Sequence, residues 1–526
     1  MENLEIYKNK NVHIVSGAGT EGTAVALFLL SLGAKISIHD FREFDDFKKS
    51  FHEYHSGISA KTRVEKFKII SSQKLFLGKS YLQNIEEADL IVVSQSFRLY
   101  DVNQKLIDAE NRKFFEFKNF ISSKSAILPP FKRGNLIPFK IIDDFYFEFA
   151  KFPIIGITGT NGKTTTKRFI TSLFESFEKK VLSSGNDRGG EQMLPRIFEN
   201  FDIEILELSH RKLQFLDKSP NVAVVTNISE DHLDEAGSFE NYISWKKNIV
   251  KFQTEKDFVV LNYDDDFVRE KFEKFPAQKI YFSLQKFEKF PGVFLNGNMI
   301  VVRNFFGEEK IVGSICDLNL IGEFNQLNLL ASIASAIPYL DLDFSYISNW
   351  IKNLKSPENR LQIFGYFDEN FVFHKFEALN VKNDCFKTEV FRQVKNNTFG
   401  QSVAIFNNLI SRTPDSTEKA IESIGKCVLI CGGDEKNVNL ESLAKKILDF
   451  EVFIIFLPGS GSEKLAKILN CIGVSQYVSA ENFLESIEIS KKICKEKNFD
   501  KILISPTFTG FQSKILNGKG LEFFIK

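Results

Sequence analysis

The sequence predicts an α/β protein of three domains: N-terminal Rossmann-like over residues 1–150, a central P-loop-type parallel sheet over 151–355, and C-terminal Rossmann-like over 356–526. Three observations carry this expectation. At 526 residues the chain exceeds one typical domain, and length alone suggests roughly three. Two apolar stretches, one from Val12 and one from Pro153, each run through a glycine turn into a helical pattern. Elsewhere short apolar runs alternate with helical periodicity, which implies parallel sheets covered on both faces, with ligands at the strands' C-terminal ends.

In the first domain, residues 11–40 read as strand, glycine turn, helix and second strand ending at Asp40. Gly17, Gly19 and Gly22 fit G-x-G-x-x-G, with Thr20 inside the turn. Such a turn lets backbone approach a pyrophosphate at the helix start, and an acid about 20 residues on can bind a ribose hydroxyl. A bare Rossmann scaffold satisfies the same pattern. A further strand lies in ADLIVVSQS at 88–96, and residues 109–135, rich in Lys, Phe and Ser and ending in Pro-Pro, read as a surface insertion or linker.

The central domain follows as IIGI, a helix over 163–177, KKVLSS, IEILEL, NVAVVTNI, a helix over 239–250, and DFVVLN. Between its first strand and helix lies Gly159-Thr160-Asn161-Gly162-Lys163-Thr164-Thr165, which we read as an ATP-binding loop. Its turn can aim backbone N–H groups and a helix N-terminus at a polyphosphate. Lys163 would reach the β/γ-phosphates and Thr164 could ligate Mg²⁺. Ile157 stands where the strict P-loop pattern has its first glycine, so an ordinary strand-to-helix turn is the plain alternative. Glu207, at the end of IEILEL, could ligate a hard Mg²⁺, and His232 in TNISEDHLD follows the next strand directly. Taken singly, each equally fits a solvated strand-end acid or a structural loop histidine. From residue 425, KCVLICGGDEK, EVFIIFLPGSGS and DKILISPTFTG each end a strand in a Gly/Pro/Ser turn, giving the third α/β domain.

Composition narrows the function classes. Lys+Arg and Asp+Glu are both 68, so no global field draws the chain to nucleic acid or an anionic membrane. Six cysteines without C-x-x-C spacing argue against a zinc site or a disulfide framework and read as reduced thiols in cytoplasm. The polar start MENLEIYKNK and the lack of any apolar run near about 18 residues predict a soluble protein without membrane insertion.

TGTNGKTTT after a Pro-Ile-Ile strand resembles the nucleotide loop of the Mur ligase family, which includes folylpolyglutamate synthases. E-x-S at Glu207 and N-x-x-x-D-H-x-D around His232 follow in the family's order, which implies that Glu207 and His232 ligate magnesium. Asn186 in SSGN matches a substrate-side G-N, and Lys246, four residues after Tyr242, falls where these ligases carry a lysine that reacts with CO₂ to a metal-holding carbamate. Adjacent Lys247 leaves that register open by one. GEFNQLNLLASIA resembles G-x-H-N-x-x-N-x-x-A-A on the adenine side, keeping Asn325 and Asn328 but placing Phe324 at the histidine; helix capping is the alternative for the asparagines. Arg360 in SPENRLQ corresponds to an arginine that contacts ATP on closure, with an interdomain salt bridge as the alternative.

In the outer domains the glycine turn (Gly17, Gly19, Thr20, Gly22) with Asp40-Phe41-Arg42 resembles the family's UDP-sugar site. Lys436 in CGGDEKN matches G-G-D-x-K and would hold the incoming amino acid's carboxylate, unless it is a solvated loop lysine. Asn408 and Ile410 stand where family members acting on D-glutamate have Asp and Lys; HKFEALN at 374–380 is a second register, and 381–405 becomes an extra segment. Gly510 replaces a substrate-binding serine. The resemblance implies a monomeric ATP- and Mg²⁺-dependent amide ligase, with a carbamylated Lys246, joining D-glutamate to UDP-N-acetylmuramoyl-L-alanine in peptidoglycan synthesis. Another Mur-type ligase adding a different amino acid, or a catalytically weak module that binds nucleotide or UDP-sugar, remain the alternatives.

Overall fold

Val- and Ile-rich runs bounded by Gly, Asn and Asp build three sheets in the computed structural model. It describes residues 2–526 apart from 82, 95–138, 186–191, 319, 355–360, 376–402, 410, 412, 436–437, 509, 512–514, 517–520 and 522–526. Asn186, Arg360, Lys436, Ile410, the 109–135 segment and most of 381–405 therefore lie outside the described residues.

The first sheet is parallel throughout. Its strands β1 (Asn11–Val15), β2 (Lys35–Asp40), β3 (Lys74–Leu77), β4 (Leu90–Val93) and β5 (Phe139–Lys140) run in the order β3-β2-β1-β4-β5. The order reverses at β1 and β4, and the glycine turn after β1 sits at that switch point, where open α/β sheets leave a crevice.

The central sheet has nine strands. β6 (Ile154–Thr158), β7 (Val181–Ser184), β8 (Ile203–Glu207), β9 (Val222–Val225), β10 (Phe258–Asn262), β11 (Gln278–Ser283), β12 (Gly292–Asn296), β13 (Met299–Arg303) and β14 (Glu309–Ser314) lie in the order β14-β13-β12-β11-β10-β9-β6-β8-β7. The strands from β7 to β12 are parallel as expected, but β12–β14 form an antiparallel meander that the sequence reading did not anticipate. Its physical cause is the Asn296↔Met299 pair closing a two-residue turn at Gly297 (φ 60°), a connection only antiparallel strands can use. The helix expected over 163–177 spans Lys163–Ser176, whereas that expected over 239–250 divides into Phe239–Lys246 and Asn248–Lys251. The break falls beside buried Asn248, whose Nδ2 donates to the Leu213 carbonyl at 2.7 Å.

In the third sheet β15 (Gln362–Phe367), β16 (Phe373–Lys375), β17 (Val403–Asn407), β18 (Val428–Gly432), β19 (Phe453–Leu457), β20 (Tyr477–Ser479) and β21 (Lys501–Thr507) take the order β16-β15-β17-β21-β18-β19-β20. The Rossmann-like parallel part runs from β17 to β20, and β15 and β16 add an antiparallel edge. Residues 403–405 are thus not part of an extra segment: VAIFN is buried at every position and pairs on both sides, so it is an inner strand.

One apolar cluster runs from Val12, Ile14 and Phe145 of the first unit to Leu206, Leu208 and Val225 of the central sheet, so these two sheets share a core. Buried Lys212 crosses the same seam, 3.1 Å from Asp143 and 3.5 Å from Glu21. On the other side Ile321 and Phe324 pack against the third unit's cluster. Among the described residues, no helix is long and apolar enough to cross a membrane.

Candidate active site

The loop after β6 turns on two glycines in conformations that disfavour a side chain. Gly159 (φ 150°) would put a Cβ 1.9 Å from Thr226 Oγ1, and Gly162 (φ 85°) would put one 2.4 Å from Asn328 Oδ1. The segment after β9 clamps the loop from below. Thr160 N and Asn161 N donate to the Asn227 backbone and side-chain oxygens, both at 2.9 Å, while Thr226 Oγ1 donates to the Asn161 carbonyl at 2.6 Å. The helix Lys163–Ser176 begins at Gly162 with no side-chain cap, leaving its first turn to an external anion. Thr164 is half-buried in that turn and Thr165 is buried behind it.

Two lysines converge on one carbonyl. Lys163 Nζ donates to Gly159 O at 2.8 Å and Thr160 O at 2.8 Å, and Lys246 Nζ donates to the same Gly159 O at 2.7 Å. Lys246 is 1% exposed. Burial, reinforced by the Lys163 charge, pushes its ammonium well below the ordinary lysine range. The tip of β8 supplies Glu207, buried, with Oε2 lacking a hydrogen-bond partner among the described residues. A buried carboxyl oxygen left without a hydrogen-bond partner in this way fits a bound cation.

His232 lies next to this arrangement in a left-handed conformation (φ 53°), its backbone N–H bonded to Asp231 Oδ1 at 2.9 Å. Its Nδ1 is 3.2 Å from Glu235, which also meets His210 Nε2 at 3.2 Å and the Arg211 guanidinium through both oxygens. Although burial opposes ionisation, Arg211, His210 and His232 hold the Glu235 carboxyl far below the usual range. Burial lowers His210 to about 3, so that imidazole is neutral. The sequence reading missed His210, Arg211 and Glu235. Nothing in their spacing signals them, because the partners come from the segments after β8 and after β9.

On the far side of the loop a cleft of about 1120 Å³ opens between the central and third sheets. Asn161, Gly162, Asn262, Phe324, Asn328 and Lys419 contribute to its wall. Asn328 Oδ1 accepts from Thr166 Oγ1 at 3.2 Å, whereas Asn325 turns back onto the Ile321 carbonyl at 2.7 Å, just ahead of its helix. The third unit touches the loop directly, with Asn161 Nδ2 donating to Asp415 at 2.7 Å.

At the first sheet, Gly17 and Gly22 are required by close approach: a Cβ would lie 2.4 Å from Ile38 and 2.9 Å from Ser16 O respectively. Gly19 ends the turn and Thr20 opens an uncapped helix. Asp40 and Arg42 meet each other at 2.9 Å, and burial raises the Asp40 carboxyl against the pull of Arg42. The structure thus brings the loop, Glu207, His232 and Lys246 to one end of the central sheet, and sets Gly17–Gly22, Asp40 and Arg42 apart at the end of the first.

Fold and site define an α/β protein whose central parallel sheet carries a glycine loop of phosphate-cradling shape, backed by buried acid and imidazole groups. Residues 157–336 match the model of the Mur ligase middle domain. Over that central segment the chain is similar to the Mur ligase family. It is 29% identical to the UDP-N-acetylmuramoylalanine--D-glutamate ligase of Desulfitobacterium hafniense, over 98% of this chain and 97% of that one. It is also 28% identical to the protein of the same name from Clostridioides difficile, over 95% and 94%. Among solved structures, a pseudomurein peptide ligase type C from Methanothermus fervidus superposes with a TM-score of 0.51 at 18% identity, covering 97% of this chain and 100% of that one. MurF from Acinetobacter baumannii gives 0.51 at 14%, covering 86% and 87%.

Proposed function

We propose that the protein is an ATP-dependent amide ligase that joins D-glutamate to UDP-N-acetylmuramoyl-L-alanine in peptidoglycan synthesis, acting as a cytoplasmic monomer. The observation that carries the reading is the Gly159–Lys163 loop facing the cleft, in a chain whose relatives of that name match it nearly end to end. In this reading the three sheets mark a UDP-sugar unit (1–150), an ATP unit (151–355) and an amino-acid unit (356–526). Gly17, Gly19, Thr20, Gly22, Asp40 and Arg42 hold the UDP-sugar, Asn186 its acceptor arm, and Lys436 the amino acid. Asn325, Asn328 and Arg360 serve the nucleotide.

The substrate carboxylate attacks the γ-phosphorus of ATP, and ADP leaves. Loop N–H groups and Lys163 stabilise the charge spread over the transferring oxygens. The amine of D-glutamate then attacks the acyl carbon, loses a proton, and expels phosphate. Glu207 and His232, with Thr164, would hold Mg²⁺, which supplies charge neutralisation at the phosphoryl group. Lys246 enters as its carbamate. Burial of the Lys246 amine disfavours its ammonium form and so favours the neutral amine, the form that adds CO₂ with release of a proton.

Phosphate release from Mg-ATP and UDP-N-acetylmuramoyl-L-alanine, compared across D-glutamate, L-alanine, meso-diaminopimelate, L-ornithine and no amino acid, tests the reading. Stimulation by D-glutamate alone is expected. Stimulation by another amino acid would move the chain to a different Mur-type ligase, and none at all, with nucleotide still bound, would leave a binding module.

A further inference from the structure

Glu235 sits under His232 with both carboxylate oxygens occupied: Oε1 by His232 Nδ1 at 3.2 Å and by Arg211 Nη2, Oε2 by His210 Nε2 at 3.2 Å and Arg211 Nε at 2.7 Å. Its side chain is 5% exposed, so these contacts are made out of water. A carboxylate so committed has no lone pair aimed outward and serves poorly as a ligand. It is well built to accept the Nδ1 proton of an imidazole. The His210 ring stacks on His232 at 4.5 Å between centroids, which removes the remaining rotational freedom of that ring. With its proton on Nδ1, His232 carries a lone pair on Nε2, which lies 3.5 Å from Asp231 Oδ2.

We propose that Glu235, pinned by Arg211 and His210, is a positioning residue that fixes the Nδ1–H tautomer of His232 and presents Nε2 to the metal. This rests on the reading of His232 as a metal ligand. A histidine ligand whose second nitrogen donates to a carboxylate is oriented and made more basic, and loss of such a partner typically weakens metal binding by about 10–100-fold. Glu235→Gln keeps the shape but cannot stay anionic against three donors.

The experiment uses the full-length, nucleotide-free protein and Mn²⁺ as probe, titrated by EPR, with ADP binding in EDTA and thermal unfolding as controls. E235Q is expected to weaken Mn²⁺ about 10–100-fold, with metal-free ADP affinity unchanged and Tm within about 3 °C. Arg211→Lys, which keeps charge and loses the fork, shows a smaller loss in the same direction and carries the test if E235Q fails to fold. Nitrogen-15 shifts of His232 report Nδ1–H in the wild type and a mixture in E235Q. His232→Ala separates the two levels. If H232A loses Mn²⁺ while E235Q and R211K bind it normally, the positioning role is wrong and the ligand reading stands. If H232A also binds normally, both fall. A loss of Mn²⁺ in E235Q matched by loss of metal-free ADP binding marks Glu235 as merely structural and overturns the proposal.

Discussion

The C-terminal edges of the central and third sheets are built alike and stocked differently. At the central edge, backbone carbonyls and amides of Gly159–Asn161 are fixed by Thr226 and Asn227, and charged groups gather around them: Lys163, Lys246, Glu207 and the Glu235–Arg211 pair. At the third edge the buried contacts are between neutral groups. Thr417 Oγ1 meets Ser411, Ser505 and Thr507 at 3.1, 2.9 and 3.0 Å, and Asn408 Nδ2 donates to Ser505 at 3.2 Å. Parallel strands ending together make a crevice in either case. What the crevice can do is set by the side chains delivered to it. The central edge is organised to stabilise developing charge, whereas the buried network described at the third edge joins its segments through neutral hydroxyl and amide groups.

The largest effect that would break this contrast is at Lys163. Lys163→Ala should slow phosphate release about 10²–10³-fold, in the range of losing a preorganised transition-state donor. A change of less than about threefold would mean the central edge does not carry the phosphoryl charge. Next is Thr417→Val, which strips the hub from the hydroxyl network. Leaving buried hydroxyls unpaired should cost about 1–3 kcal/mol in urea unfolding, while ADP binding at the central edge is retained.

Acid separates the third unit from the other two through buried histidines, since the histidine described in the third sheet, His374, is exposed. Burial lowers His13 to about 3, with His39 adding; it lowers His39 to about 4 and His210 to about 3. Each is neutral when folded and protonates near 6.5 when unfolded, so the stability it contributes is present above about 6.5 and is lost as pH falls toward 4. Asp143, raised to about 6 by burial, has the opposite sign: the unfolded chain gives up that proton sooner, so acidification between 6 and 4 favours the folded form and offsets part of the loss. Hydrogen-exchange protection, corrected for the slower intrinsic exchange in acid, should therefore fall between pH 7 and 4.5 in β1, β2 and the segment after β8 more than in β18 and β21. The smallest effect is at the contact between the two edges. Asp415→Ala removes the bond to Asn161, but Asp415 is 29% exposed and also pairs with Lys419, so stability should change by under about 1 kcal/mol, read from the urea midpoint.

Local signals were legible where one continuous segment makes the feature. The glycine turns, the helix from Lys163 and the strand ending at Glu207 lie within a residue or two of where periodicity and turn chemistry put them, whereas the strand expected over NVAVVTNI stops three residues early at Val225. The meander β12–β14 departs from the α/β rhythm around it because a two-residue Gly297-Asn298 turn joins its first two strands, a dipeptide that is itself a hairpin signal. The ring of His210, Arg211 and Glu235 was illegible for a different reason. Each residue alone is an ordinary surface type, and only the parallel packing of β8, β6 and β9 brings 210–211 to 235. In the same way Asp415 reaches Asn161 across 254 residues of chain.

The most direct test of the contrast is whether the central edge performs its half of the reaction without the third. Wild-type protein is incubated with Mg-ATP, UDP-N-acetylmuramoyl-L-alanine and hydroxylamine, with no amino acid, and the hydroxamate of the activated carboxyl is measured. The account predicts hydroxamate from the wild type and from Thr417→Val, formed about 10²–10³-fold more slowly by Lys163→Ala. No hydroxamate from the wild type, or undiminished hydroxamate from Lys163→Ala, would contradict it.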